Sequence, residues 1–291
     1  MSRMHSIPET VVVVGAGRSG TKILRDLLCH FPRWGTWPCD EINYIWRYGN
    51  AREPTDELTL EHARTEVVQY IRNEVRSIAE KKSLDVVVEK TCANTLRIPF
   101  VNEVLPQAKF IHIVRDGRDV ALSAQKRWNG SVDLGYLLRK ARYVPLTDVP
   151  HYALRFLKDR LYPVWSGEAR VAAWGPRFEG LQDALRNHEL LEVCALQWKQ
   201  CVEKAASDLK EIEMDRTYRI HYEDLVRQPA QSLRALSDFL EVEESDRTLE
   251  RMTEDVFAGS VGNWRDQLSS DQVAAVQELI RPTLRELEYA D

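Results

Sequence analysis

The sequence predicts an α/β protein with a doubly wound parallel sheet flanked by helices and an inserted helical and loop region. Three observations predict it. Apolar, largely β-branched runs recur at Val11 to Val14, Val86 to Val88 and Phe110 to Val114. Stretches with helical apolar periodicity separate them. The first run stops at a glycine-rich turn that opens straight into a helix, which makes that unit P-loop-like. Strands apolar on both faces need cover on both sides, as in a parallel sheet.

The elements follow in order. Thr10-Val11-Val12-Val13-Val14 reads as the first strand, Gly15 to Gly20 as the turn, and Thr21 to Leu28 as the first helix. Glu57 to Lys82 is a long amphipathic helical stretch beginning near a cap at Thr55 or Asp56. Asp85 to Thr91 is a buried strand, and Leu96 to Leu105 a helix closed by Pro106. Lys109 to Val114 is a third strand running into Arg115-Asp116-Gly117-Arg118-Asp119 and a helix from Val120 to about Lys126. From about 128 to 187 the alternation fades, and aromatics, prolines and arginines mix without a period. Leu190 to Leu209 is helical, Arg216 to Tyr222 a strand, Pro229 to Leu240 a helix, and Asp271 to Leu287 a last helix capped by Ser269, Ser270 or Asp271. No linker or repeat divides the chain, so residues 1–291 are expected to form one domain.

Composition narrows the function. The 291 residues carry 45 Asp+Glu against 40 Lys+Arg, a net charge of −5, which argues against a general nucleic-acid binder. The longest apolar runs fall far short of the ~18 to 20 residues of a membrane span, and no secretion-signal core precedes Thr10, so the expected location is cytoplasmic. Five scattered cysteines without a CxxC pair suggest neither a disulfide framework nor a zinc site, and no metal is expected. Cys194 and Cys201, seven apart in a helix, read as small buried residues on one face.

Gly15-Ala16-Gly17-Arg18-Ser19-Gly20-Thr21-Lys22 stands where backbone N–H groups and a helix dipole cradle an anion. The ATP-binding pattern G-x-x-x-x-G-K-[ST] fails, because Thr21 precedes Lys22. Gly15, Gly17 and Gly20 fit G-x-G-x-x-G, but no acidic residue ends a second strand about 20 residues on. At the end of the third strand, Arg115 reaches the carboxyl edge of the sheet, with Ser123 following on the helix; together they can grip a second phosphate. Arg118, Asp116 and Asp119 read as a local salt-bridge and capping group, and His112 as a packed core histidine.

A basic glycine turn after strand one, followed by R-D-G-R-D-V-A-x-S, resembles the sulfotransferases, whose donor is 3′-phosphoadenosine 5′-phosphosulfate (PAPS). The resemblance extends to Glu89-Lys90-Thr91, to Pro106 through Arg115, to Tyr222-Glu223-Asp224-Leu225-Val226 with Pro229, and to Gly259 through Arg265. It covers nearly the whole chain outside about 128 to 187. It implies that Arg18, Ser19, Gly20, Thr21 and Lys22 hold the 5′-phosphosulfate, with Arg18 touching the sulfonyl group. Arg115 and Ser123 would bind the 3′-phosphate, and Tyr222 would lie near the adenine. The late loop carries Phe257-Ala258-Gly259 where the cytosolic small-molecule enzymes have Arg-Lys-Gly, and Lys22-Ile23 stands where they have threonine and tryptophan. These departures point to the branch that modifies glycans and tyrosyl proteins, whose base is a glutamate shortly after the first helix.

In-line sulfonyl transfer needs a base for the acceptor hydroxyl and cations for the charge that develops. Glu41 is the expected base, Asp40 the alternative, and Lys90 the cation that reaches the reacting centre from the end of the second strand. The acceptor is a hydroxyl compound, with a carbohydrate favoured because Trp46, Tyr48, Trp128, Tyr136, Tyr143 and Tyr152 suit stacking on sugar rings. Two other readings stand beside this one: a P-loop nucleotide kinase, and a nucleotide-binding module without activity.

Overall fold

The computed structural model describes residues 7–128, 142–145, 147–150, 152, 174–256 and 258–289. Among them, β1 (Glu9–Val14), β2 (Trp34–Gly35), β3 (Val86–Glu89), β4 (Lys109–Val114) and β5 (Thr217–His221) form one parallel sheet in the order β2-β3-β1-β4-β5. The chain leaves β1 outward to β2 and β3 on one side, then crosses to β4 and β5 on the other. That reversal beside β1 puts a crevice at the carboxyl edge of the sheet, where α/β proteins bind ligands.

The valines of β1 show why the sheet is covered twice. Successive strand side chains point to opposite faces. Val12 and Val14, with Val87 and Phe110, pack against α2 (Asn43–Trp46), α3 (Thr65–Lys82) and α4 (Ile98–Val104). Val11 and Val13, with Val86, Val88, Ile111 and Ile113, pack against α1 (Thr21–Leu28) and against α8 (Tyr222–Arg227), α9 (Pro229–Leu240) and α10 (Asp246–Met252). A third core gathers around Val114 from α5 (Gly117–Trp128), α6 (Leu181–Asn187), α7 (Leu190–Asp208) and α12 (Ser270–Glu286), with α11 (Trp264–Gln267) beside it. Cys194 and Cys201 are buried in that core.

Several boundaries differ from expectation. The helix expected from Glu57 begins at Thr65, because Asp56 is buried in an ion pair with Arg47 and cannot serve as a cap. The helix expected from Leu96 begins at Ile98 as α4, after a 3₁₀ turn at Cys92–Leu96. Tyr222 opens α8 instead of closing β5. Two-residue β2 gives no periodic signal, and α6 falls in the stretch expected to be irregular. Ser269 caps α12, its hydroxyl accepting from the Gln272 N–H at 3.2 Å. Most of the expected insertion, Tyr136 included, lies outside the described residues. Among the described residues no helix is long and apolar enough to cross a membrane, and no cluster of His, Cys, Asp and Glu is suited to a metal.

Candidate active site

The turn after β1 is held from below by close packing. A Cβ on Gly15 would stand 2.6 Å from the Ile113 carbonyl oxygen, and one on Gly20 would overlap the Tyr222 ring. Gly20 has φ +92°, and Arg18, a non-glycine, has φ +76°. A left-handed conformation costs an L-residue roughly 1 to 2 kcal/mol, so the surrounding contacts must enforce it. α1 then starts without a side-chain cap, leaving its first N–H groups to face the turn. Ser19 is fully buried, and its hydroxyl has no hydrogen-bond partner among the described residues.

Across the turn stand the residues of the Arg115 cluster. Arg18 Nε donates to Ser123 Oγ at 2.9 Å, and Arg115 Nη1 donates to the Arg18 carbonyl at 3.1 Å. The Arg115 guanidinium lies 4.3 Å over the Tyr222 ring, and its Nη2 donates to the Ser260 carbonyl. Tyr222 Oη pairs with Ser260 Oγ at 2.7 Å. Arg115 Nε is buried without a partner among the described residues. Partial withdrawal from water, then the Arg115 and Arg127 charges, hold the Arg18 guanidinium below its usual pKa. Asp119 anchors the late loop by accepting from the Gly262 and Trp264 N–H groups at 2.7 and 3.0 Å. Asp116 pairs with Arg118 at 2.9 Å. These are the capping and salt-bridge roles expected of both aspartates.

The second half of the site rises from the end of β3. Lys90 is buried, and its Nζ lies 3.1 Å from Asp40 Oδ1 and 3.3 Å from Glu41 Oε1. Burial alone would lower its pKa; the two carboxylates outweigh that and raise it, so Lys90 is a firm cation. Glu41 Oε1 also accepts from the Cys92 N–H at 3.4 Å, while Cys92 Sγ lies 3.6 Å from Thr21 Oγ1. Cys92 thereby joins the carboxylate pair to the first residue of α1. Glu89, one residue before Lys90, points the other way into the core, accepting from Trp46 Nε1 at 2.9 Å and Asn94 Nδ2 at 2.8 Å.

Arg18, Ser19, Gly20, Thr21, Arg115, Ser123 and Tyr222 thus converge, with Lys90, Glu41 and Asp40 beside them. Lys22 does not join them: its exposed ammonium pairs with Asp26 at 2.6 Å, one turn along α1. Residues 8–144 and 168–246 match the family model described as the Sulfotransferase family. The chain belongs to the sulfotransferase family. It is therefore a sulfonyl-transferring enzyme, and the phosphotransferase alternative is not favoured. Its fold is similar to the sulfotransferase domain from the curacin biosynthetic pathway, with a TM-score of 0.51 at 16% identity over 98% of this chain and 99% of that one. The sulfotransferase domain of the Synechococcus PCC 7002 olefin synthase gives 0.52 at 15% over 96% and 97%. Mouse sulfotransferase SULT7A1 complexed with PAP gives 0.50 at 15% over 97% and 89%. No curated protein matches the chain significantly.

Three residues of this sulfotransferase's site carried no sequence signal. Thr95 grips Gly15 through its hydroxyl. Arg25, buried on α1, reaches Asp40 at 2.9 Å. Trp174 lies against Gly17, where a Cβ would stand 3.1 Å from its ring. Their partners are 15 to 157 positions away, beyond any local pattern.

Proposed function

We propose that this sulfotransferase moves the sulfonyl group of PAPS to an acceptor hydroxyl, with Glu41 as the base. The observation that carries the reading is the convergence of Arg18, Ser123 and Arg115 on one side of the glycine turn and of Lys90 and Glu41 on the other. The residues fit an anionic donor. Ser19 offers a buried unpartnered hydroxyl, α1 offers uncapped N–H groups, and Arg18 and Arg115 supply charge. In the proposed arrangement Arg18, Ser19, Gly20 and Thr21 hold the 5′ end. Arg115 and Ser123 hold the 3′-phosphate, and Tyr222 stands beneath the nucleotide. Lys22 contributes its backbone N–H. The PAP complex of the mouse enzyme, in which the desulfated product is bound, supports the same donor here.

The bound donor supplies the sulfonyl group and a phosphate leaving group. Glu41 takes the proton of the acceptor hydroxyl as that oxygen bonds to sulfur and the sulfur–oxygen bond to phosphate breaks. Lys90 and Arg18 stabilise the negative charge shared by the sulfonyl and leaving oxygens. Asp40 is the weaker candidate for the base, because it is held by both Arg25 and Lys90. With Glu41 as the base, the chain would resemble the branch acting on glycans and tyrosyl proteins.

The acceptor carries a hydroxyl. A carbohydrate has less support than the sequence suggested, because the favouring aromatics among the described residues, all but Tyr136, are occupied in packing. Trp46 and Trp128 are buried, Tyr48 stacks on Tyr70 at 3.8 Å, Tyr152 meets Tyr44 edge-on at 4.7 Å, and Tyr143 packs against the core. The test has two arms. PAP and PAPS without magnesium should raise the melting temperature, since both bind only the folded state. Labelled PAPS offered with glycans, phenols, peptides and lipids should then mark the acceptor class. Protection by ATP with magnesium but not by PAP would overturn the reading in favour of a kinase.

A further inference from the structure

An unbroken series of alternating charges runs from α1 to the carboxylate pair. Lys22 Nζ meets Asp26 Oδ2 at 2.6 Å, and Asp26 Oδ1 accepts from Arg25 Nε at 2.9 Å. Arg25 Nη1 donates to Asp40 Oδ1 at 2.9 Å and to the Asp40 carbonyl at 3.3 Å. Asp40 Oδ1 meets Lys90 Nζ, and Lys90 Nζ meets Glu41 Oε1. The Arg25 and Lys90 side chains are 9% and 2% exposed, so their contacts with Asp40 are screened less than the exposed Lys22–Asp26 pair. One guanidinium thus grips Asp26 on its own helix and both the side chain and main chain of Asp40.

We propose that Arg25 is a positioning residue for the reaction: it fixes Asp40 and shares that carboxylate's charge with Lys90, so that Lys90 stays engaged with Glu41. This rests on Glu41 being the base. Two neighbouring carboxylates that face one ammonium compete for it. With Arg25 in place, Asp40 has a second cation and the competition is relieved. Without it, Lys90 is drawn to Asp40, and Glu41 loses part of the charge that keeps it ionised. Among the described residues, Arg18 in the turn and Cys92 after β3 also face the pair, and the Cys39 thiol in the same loop reaches the Glu41 main-chain carbonyl. None of these reproduces the Arg25 bridge. Arg18 acts on Asp40 only through its charge, and burial holds the Cys92 thiol neutral.

Two carboxylates that share one ammonium have macroscopic rather than individual pKa values, so the quantity to measure is the upper apparent one. The full-length protein, ¹³C-labelled at Asp and Glu carboxyl carbons, is titrated by NMR, with Glu41→Gln and Asp40→Asn assigning the signals. In Arg25→Gln the upper apparent pKa should rise by about one unit, the low end for a lost opposite charge. In Arg25→Gln/Asp40→Asn it should fall back to the wild-type value or below, which a purely structural role would not produce. Arg25→Lys keeps the charge but cannot span Asp26 and Asp40 together, so it should show a smaller rise, and it carries the test if Arg25→Gln does not fold. An unchanged upper pKa in a folded Arg25 variant, or no reversal in the double variant, overturns the inference. Normal turnover by Glu41→Gln beside a shifted pKa would sink the base assignment alone.

Discussion

The hydroxyl of Thr95 accepts a hydrogen bond from the Gly15 N–H at 2.9 Å and donates one to the Gly15 carbonyl at 3.1 Å. The two residues are 80 positions apart, and Thr95 is fully buried. A single side chain therefore supplies both a donor and an acceptor to the backbone where β1 becomes the glycine turn. Thr95→Val keeps the volume and removes both bonds. An orphaned buried polar group costs roughly 1 to 3 kcal/mol, and here two are exposed to that penalty. Urea unfolding should show Thr95→Val destabilised by at least ~2 kcal/mol with an unchanged m-value, and Thr95→Ser near wild type. If Val and wild type unfold at the same urea concentration, the clasp has no energetic weight.

Arg115→Ala should weaken PAP binding by roughly 1.5 to 3 kcal/mol, the usual worth of a hydrogen bond to a charged group. Binding of adenosine 5′-phosphosulfate, which lacks the 3′-phosphate, should barely change. Arg115 is also tied to the Arg18 and Ser260 carbonyls, so the comparison of ligands separates recognition from structure. Calorimetry on both ligands reads the difference. Equal losses would make Arg115 a brace for the turn and the late loop.

The parallel sheet was legible because valine runs buried on both faces leave few alternatives, and the glycine turn because Gly15, Gly17 and Gly20 break helix and strand alike. Glu41 and Lys90 were each expected at the reacting centre because their segments end at the sheet's carboxyl edge, but their contact at 3.3 Å left no mark in the sequence. Long-range contacts left no trace. Arg25 reads as an ordinary charged position on an amphipathic helix, and its contact with Asp40, 15 positions on, arises only from the return of that segment to α1. Tyr48 and Trp46 looked like candidates for stacking because residue type does not reveal which face a side chain covers. Tyr70 and Glu89 claim them instead.

His112 sets an acid sensitivity. It lies on β4 with neither ring nitrogen partnered among the described residues, and burial, followed by the Arg219 and His221 charges, pushes its pKa down to about 3. The unfolded chain protonates this ring near ~6.5. The native state therefore binds fewer protons below that point, and stability is lost as pH falls from about 6.5 toward 3, at up to ~1.4 kcal/mol per unit. Above pH 6.5 the group contributes no pH dependence. His112→Leu should remove this slope and leave stability near pH 7.5 within about 1.5 kcal/mol, as for a volume-conserving apolar change. Urea midpoints at pH 5 and 7.5 measure it. An equal acid slope in both proteins would assign the sensitivity elsewhere.

The base assignment turns on two adjacent carboxylates that touch the same ammonium, one of them also paired with a guanidinium. Asp40 is bound by Arg25 as well as Lys90, so two cations favour its ionised form and oppose the proton it would have to accept. Glu41 meets Lys90 and the Cys92 N–H, and the Cys92 sulfur in turn touches Thr21 at the start of α1, beside the turn assigned to the sulfonyl end. Glu41→Gln is nearly isosteric and keeps an acceptor oxygen for both contacts, so PAP affinity and melting temperature should stay near wild type. Turnover should fall by about 10² to 10⁴-fold, the usual contribution of a general base. Asp40→Asn should cost much less, because the charge it loses serves Lys90 and Arg25 and takes no proton in the reaction. Single-turnover transfer of labelled sulfate with both variants decides between them. An inactive Asp40→Asn beside a near-normal Glu41→Gln moves the base to Asp40, and activity in both excludes the pair altogether.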